Sequence, residues 1–326
     1  MEKILTISVA AYNVEKFLEN TLNSLSDSRY VDKLEVFVVD DGGTDSSLDI
    51  ASSYEERYPQ TFHAVHKENG GYGSTVNYSI AHATGKYFKL LDGDDWMDRD
   101  GLCSVLDKLE ELVDDVVVTE YFVGPSETEL SVVPTRAENN SFVYVKDHET
   151  SYPYGMWAIF YRTQMLKECG VVLPEHTLYT DQVYSTVPFS IARTIRFINT
   201  PVYCYRFGRE EQSTSKPSRI KHAKEMMRVC DFLYDFYEKN KEDNKYLLSR
   251  VSRYYIVALK TLMIFPVNKA GRKRFMKYEA IAKKKHPDLY AAAVKNNSVG
   301  TFVKFLRRTG YRTYWMIRLI PEHRLL

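Results

Sequence analysis

Asp92-Gly93-Asp94-Asp95 is the segment of this chain best suited to chemistry. It follows an apolar run, so two carboxylates at i and i+2 can serve one small volume through the ensuing turn. Their oxygens are hard ligands of the kind that suit Mg²⁺ or Mn²⁺. A divalent ion held by one or two carboxylates keeps open positions for further oxygens, such as those of a diphosphate, and acts there as a Lewis acid. A capped turn is the plain alternative, because Asp is common before helices. Asp40-Asp41 ends a second apolar run. A carboxylate there can accept from a pyrimidine N–H or a ribose hydroxyl, or simply cap the next turn. Lys67-Glu68-Asn69-Gly70-Gly71-Tyr72-Gly73 is glycine-rich, which allows positive φ and close approach to a ligand. Its order is neither a P-loop nor GxGxxG.

The elements that must position these groups alternate. Ile4 to Ala10, Leu34 to Val39, Phe62 to His66 and Tyr87 to Leu91 read as strands. Between them lie helical segments: one capped by Asn13 and running to Leu25, one over Ser46 to Tyr58 capped by Thr44 or Asp45, and one over Thr75 to Ala83. This alternation predicts βαβ units and a mostly parallel, Rossmann-like sheet, an α/β fold. Ligands of such sheets sit beyond the carboxyl ends of the strands. Ala11-Tyr12-Asn13, Asp40-Asp41, His66 to Gly73 and Asp92 to Asp95 all fall there. Further on, a helix from Asp98 to about Val113 precedes a strand, Val116 to Phe122. Residues 123–156 look irregular apart from a short strand at Phe142 to Val145. Met156 to Arg162 and Ile195 to Arg206 read as strands around helices at 163–169 and 181–192.

The same motifs resemble family 2 glycosyltransferases of the GT-A fold, over residues 4–215. Ile7 to Leu18 is similar to that family's opening. Val39-Asp40-Asp41-Gly42-Gly43-Thr44-Asp45 resembles its second motif, with Gly43 where Ser is usual. Glu68-Asn69-Gly70-Gly71 with Asn77, Ala81, Ala83, Thr84 and Gly85 resembles the third, and Leu90 to Trp96 the metal motif. The resemblance implies an inverting transferase that moves a sugar from a nucleotide diphosphate, usually a UDP-sugar, to a glycan or polyprenyl-linked acceptor. It implies Asp41 at the base, with Ala11, Tyr12, Asn69 and Gly70 near the nucleoside. Asp92 would meet the ribose or the metal, Asp94 would be the direct ligand of Mn²⁺ or Mg²⁺, and Asp95 would support the loop with Trp96 in the core. Asp181 would be the general base, although Thr180 stands where Glu is common; alone, Asp181 reads as a helix cap. Tyr203-Cys204-Tyr205-Arg206 and Gln212-Ser213-Thr214 resemble the segment after the last strand, where Arg206 would pair with phosphate or face solvent. His66 and His176 read as structural. The QxxRW motif of polymerising relatives is absent, which implies non-processive transfer. The competing readings are a nucleotide-sugar binding or scaffold protein without turnover, kept open by Thr180, and a nucleotidylyltransferase, whose basic glycine-rich N-terminal signature is missing.

Composition bounds the rest. With 44% hydrophobic and 27% charged residues the chain can build a sizeable core. The four cysteines form no CxxC pair and read as reduced thiols of a cytosolic protein. Met1 to Ser8 lacks a signal peptide's apolar stretch, and no apolar run suits a membrane span. The net charge of +1 conceals a split. Residues 216–326 carry 26 Lys and Arg against 9 Asp and Glu; the remainder carries 18 against 34. This predicts a catalytic domain over 1–215 and a basic helical region over 216–326, divided near Lys216-Pro217-Ser218. Within Asn297 to Leu326, Lys304, Arg307, Arg308, Arg312, Arg318 and Arg324 are interleaved with Phe302, Phe305, Leu306, Tyr311, Tyr314, Trp315, Ile317 and Leu319. Such a segment suits an anionic membrane surface on the inner face of the plasma membrane, packing on the catalytic domain or on another copy in a homo-oligomer, or contact with the acceptor. No nucleic-acid motif accompanies the charge, so no nucleic-acid partner is expected.

Overall fold

A computed structural model describes residues 2–148, 154–208, 212–213, 215–242, 244–295 and 298–321. Asn297, Thr214 and Arg324, singled out above, lie outside them. The chain divides into two compact units, Met1–Val145 with Tyr154–Gly208, and Lys146–Pro153 with Arg209–Leu326.

The first unit is built on one sheet. Its strands are β1 (Leu5–Ala11), β2 (Leu34–Asp40), β3 (Phe62–His66), β4 (Tyr87–Asp92), β5 (Trp96–Met97), β6 (Val116–Gly124), β7 (Ser131–Val133), β8 (Phe142–Tyr144), β9 (Ile159–Arg162) and β10 (Thr194–Arg206). Their order is β3-β2-β1-β4-β9-β6-β10-β5, with β7 on β6 and β8 on β10. The β3-β2-β1-β4 half is parallel throughout. Every residue of β2 is buried, and β1 is buried except at Ala10. Continuous apolar runs of this kind suit strands covered on both faces. Beyond β4 the sheet becomes mixed: β9 inserts antiparallel between β4 and β6, while β10 runs parallel to β6. The parallel expectation therefore holds for the β3-β2-β1-β4 half, and the second half is a mixed extension. Strand β6 carries the expected strand Val116 to Phe122 on to Gly124, and β7, which pairs with it, lies within the stretch expected to be irregular.

The helices of this unit are α1 (Glu15–Asn23), α2 (Ser47–Arg57), α3 (Tyr72–His82), α4 (Arg99–Glu111), α5 (Thr163–Glu168), α6 (Asp181–Tyr184) and α7 (Val187–Ile191). Two expectations need correction. Asn13 does not cap α1, whose N-cap is Val14. It sits at φ 54°, a left-handed conformation that Asn tolerates, and its Oδ1 accepts from Thr44 N at 2.9 Å, tying the β1 end to the β2 end. The helix after the glycine-rich loop begins three residues early, at Tyr72, with Gly71 at φ 80° as its N-cap.

The second unit is helical: α8 (Lys216–Lys221), α9 (Ala223–Asn240), α10 (Lys245–Met263), α11 (Lys269–Lys285), α12 (Pro287–Lys295), α13 (Ser298–Arg308) and a 3₁₀ turn at Tyr314–Leu319. Asn244 and Asn268 cap α10 and α11 by accepting from Leu247 N and Gly271 N. Tyr255, Leu259, Phe275, Val303, Leu306 and Ile317 share one buried cluster. Residues 298–317 thus pack into their own unit through their apolar side. Among the described residues no helix is long and apolar enough to cross a membrane.

Candidate active site

The parallel half brings four polar segments to one edge. The register pairs Ala11 with Asp40, Ala10 with Asp92, and Asp40 with His66. The C-terminal ends of β1 to β4 therefore form a row.

Asp41 ends this row at the β2 side and is 3% exposed. Its Oδ1 accepts from Lys67 Nζ at 3.0 Å, Gly70 N at 2.9 Å and Ser74 Oγ at 3.2 Å. Its Oδ2 accepts from Gly71 N at 2.8 Å. Asn69 Nδ2 donates to the Asp41 carbonyl at 2.9 Å. A carboxylate offers about four acceptor positions, so only the Oδ2 side keeps capacity for a ligand. Ala11 is buried and Tyr12 is exposed at the β1 end. His66 Nδ1 lies 2.7 Å from Asp40 Oδ2, so both groups serve the row itself.

The positive φ expected of this loop is found at Gly71, at 80°, and two of its glycines also lie against another segment. A Cβ on Gly73 would lie 2.4 Å from Pro174 O, and one on Gly71 3.1 Å from His176 N. His176 N donates to Gly70 O at 2.6 Å. Asn77 and Leu173 exchange two hydrogen bonds, at 2.8 and 2.9 Å. Gly71 and Gly73 thus leave room for segment 173–177, which lies directly on them. That segment leads to Asp181 at the start of α6, passing through His176 and Tyr179 with φ of 47° and 65°. Left-handed backbone at two non-glycine residues costs energy and is held only where the surroundings dictate it.

Asp92, Asp94 and Asp95 place one carboxylate oxygen each within 4.8 Å of one another. The turn is set by Asp95 N donating to Asp92 O at 3.0 Å, and Thr21 Oγ1 lies 3.0 and 2.6 Å from the carbonyls of Gly93 and Asp95. After the turn, β5 pairs with β10, which brings Tyr203 and Arg206 alongside. Tyr203 Oη donates to Asp95 Oδ2 at 2.6 Å, and Arg206 N donates to Asp95 Oδ1 at 2.7 Å. Both Asp95 oxygens are thus engaged by the scaffold. Arg206 Nε donates to Asp94 O at 3.0 Å, and its guanidinium stacks 4.6 Å from the Trp96 ring and 5.3 Å from Phe17. Arg206 braces the acidic turn.

Asp92 is different. Its Oδ1 is sealed from solvent and has no hydrogen-bond partner. Burial pushes its carboxyl up to about 6, opposed by a hydrogen bond from Tyr72 and reinforced by the charge of Asp181. An orphaned carboxylate oxygen inside an acidic cluster is the donor set a hard divalent cation satisfies. The Tyr72 hydroxyl has one proton and two acceptors in reach, Met156 Sδ at 3.4 Å and the Asp92 carboxylate. The carboxylate is the stronger acceptor. The Tyr72 hydroxyl feels the charges of both Asp92 and Asp181, and its acidity is suppressed first by burial and then by these carboxylates. The structure therefore brings Asp92, Tyr72 and Asp181 into one electrostatic neighbourhood, although Asp92 and Asp181 are 89 positions apart in the chain. Gln182 Nε2 donates to Asp181 Oδ2 at 2.5 Å.

Tyr72, Tyr203 and Lys89 escaped the sequence reading as site residues. Lys89 is fully buried on β4, and its Nζ lies 2.8 Å from Trp157 O, 3.3 Å from Ile159 O and 3.4 Å from Met156 O. It also sits 4.2 Å from the Phe160 ring centroid. These contacts to three carbonyls hold the turn that carries Met156 against Tyr72. A lysine inside an apolar strand was the available signal, but nothing in the sequence names its carbonyl partners.

A parallel sheet with acidic groups at its switch-side edge, extended by mixed strands around an Asp-x-Asp turn, defines a GT-A glycosyltransferase architecture. Residues 6–170 match the profile of Glycosyl transferase family 2, and the chain belongs to that family. It is 28% identical over 211 residues to the putative glycosyltransferase EpsH of Bacillus subtilis, covering 62% of this chain and 60% of EpsH. It is 25% identical over 213 residues to the poly(ribitol-phosphate) beta-N-acetylglucosaminyltransferase TarS of Staphylococcus aureus, covering 64% of this chain and 36% of TarS. The chain thus spans less than two thirds of either relative. The crystal structure of TarS 1–349 in complex with UDP-GlcNAc superimposes with a TM-score of 0.70 at 19% identity, over 97% of this chain and 92% of that one.

Proposed function

We propose that this chain is an inverting, metal-dependent transferase that moves a sugar from a UDP-linked donor to a hydroxyl of a surface glycan or polyprenyl-linked acceptor. The observation that carries this reading is the meeting of Asp92, with its orphaned Oδ1, and Asp181 beside one edge of the sheet. TarS, which shares the fold, binds UDP-GlcNAc in its crystal structure, and this supports a nucleotide-sugar donor.

Residues 1–215 would hold the chemistry. Ala11, Tyr12, Asp41, Asn69 and Gly70 receive the nucleoside, with Asp41 accepting from the base through Oδ2. Asp94 and Asp92 hold Mn²⁺ or Mg²⁺, which when bound neutralises charge on the departing diphosphate. Arg206, which braces the acidic turn through Asp94 O and Trp96, would meet a phosphate through its terminal guanidinium N–H groups. Asp181 takes the proton from the acceptor hydroxyl as that oxygen attacks the anomeric carbon opposite the diphosphate. The C–O bond to the acceptor forms, the bond to phosphate breaks, and UDP leaves with the electron pair. A lipid-linked acceptor would set this work at the inner face of the plasma membrane, with the basic region 216–326 as the part that attends to acceptor or membrane.

The reading without turnover has one observation in its favour. Thr180, which stands where the family resemblance leads one to expect Glu, is fully buried and its hydroxyl has no partner. Steady-state release of UDP separates the two readings. Activity should require Mn²⁺ or Mg²⁺ and collapse in Asp94→Ala, while Asp181→Asn should keep UDP binding and lose about 10²–10⁴-fold in turnover. Full activity in chelator, or normal turnover in Asp181→Asn, would overturn the assignment.

A further inference from the structure

The C-terminal segment of the helical unit has two faces. Inward, Val303, Leu306, Tyr311, Tyr314 and Ile317 enter the unit's core. At about 100° per residue, Val303 and Leu306 centre the buried side of α13, Arg308 falls opposite, and Lys304 and Phe305 flank it. In the 3₁₀ turn, with three residues per turn, Tyr314 and Ile317 align inward. Trp315 and Arg318 then share one flank, and Met316 and Leu319 the other.

The outward side is unusual for a surface bathed in water. Phe305 is 40% exposed, Trp315 56% and Leu319 64%. These are three of the five exposed large apolar side chains among the described residues of the unit, the others being Ile220 and Ile281. Lys304, Arg308, Arg312 and Arg318 are exposed between them. From Leu289 to Pro321 there are six basic residues and no Asp or Glu. Arg307 is already spent on the buried Glu279, which also accepts from Tyr311 Oη at 2.7 Å. A solvated helix would mix both signs of charge and keep large apolar groups inward. Bulky apolar residues set among uncompensated cations match the boundary between acyl chains and anionic headgroups.

We propose that the outward face of residues 298–319 docks on an anionic phospholipid bilayer. Phe305, Trp315 and Leu319 enter the headgroup–acyl boundary, and Lys304, Arg308, Arg312 and Arg318 meet the lipid phosphates. The surface belongs to the helical unit alone and does not depend on the transferase reading.

The test is co-sedimentation of the full chain with vesicles of phosphatidylcholine alone and with about one third phosphatidylglycerol, at low and high salt. Two variants accompany it, Trp315→Ala with Leu319→Ala, and Arg308→Glu with Arg312→Glu. All four side chains are exposed, so circular dichroism and melting should be unchanged. The wild type should bind the anionic vesicles, bind phosphatidylcholine far less, and weaken with salt. Partitioning should fall about fivefold for each basic residue lost, more for reversal, and roughly tenfold in the apolar double variant. Equal partitioning of all three proteins would overturn the proposal. A defect confined to the charge variant would overturn insertion and indicate a soluble polyanion instead. A dimer by light scattering that the apolar variant abolishes, without vesicle binding, would assign the face to a second copy.

Discussion

Asp92 is the residue whose environment says most about the site. Its folded-state carboxyl, at about 6, lies above the ordinary value of 3.8. The folded chain therefore holds this proton more tightly than the unfolded chain. Stability from this group is fully present below pH 3.8 and lost as pH rises through 6. Asp92→Asn removes the titration. Without metal, the variant is expected to gain on the wild type between low pH and pH above 6 by on the order of 3 kcal/mol. Mn²⁺ should raise the melting temperature of the wild type and leave the variant unchanged. Denaturant midpoints on either side of pH 6 check this, and parallel profiles for the two proteins would refute it. Lys89 works in the opposite sense. Burial alone pushes it well below the ordinary 10.5, so the stability it contributes rises with pH up to that value. Lys89→Met should remove this alkaline rise, read as a difference in midpoints between variant and wild type from neutral pH upward. The acidic character of the Asp92 turn was legible in the sequence. Its buried oxygen was not, because a motif does not say which carboxylate the scaffold has already engaged.

At the scale of elements, α3 and segment 173–177 form one assembly. Gly73 lies in the first turn of α3 and its missing side chain admits Pro174 O. Gly73→Ala sets a methyl group against backbone, which cannot rotate away. The expected result is a loss of about 1–3 kcal/mol and faster hydrogen exchange over 174–180. Turnover should fall because Asp181 follows that segment, while stabilisation by Mn²⁺ at Asp92 and Asp94 persists. Unchanged exchange over 174–180 would show that the two elements are not coupled. The helices and parallel strands here were readable from periodicity, since β2 and β1 are nearly continuous apolar runs. The antiparallel insertion of β9 was not, because strand order depends on which edges meet.

Across the whole molecule, a net charge of +1 describes neither half of the chain. With 26 basic against 9 acidic residues after position 215, and the reverse imbalance before it, both signs of field persist beyond about 10 Å only at low salt. Near its calculated isoelectric point of 7.6 the protein should therefore be retained by a cation exchanger at low ionic strength. Arg308→Glu with Arg312→Glu should elute earlier. Passage of the wild type through the column unretained would contradict a segregated basic surface.

The sequence by itself determined the parallel half of the sheet, the row of polar strand ends and the basic helical region, because each rests on local periodicity or composition. Its motifs also named Asp92, Asp94 and Asp181. Only the tertiary structure decided what those groups face. Asp95 and Arg206 brace the turn, Gly71 and Gly73 make room for the segment that leads to Asp181, and Tyr72 lies within electrostatic reach of two carboxylates from distant parts of the chain. Contacts of that kind depend on which surfaces are brought together in space, and sequence spacing does not encode them.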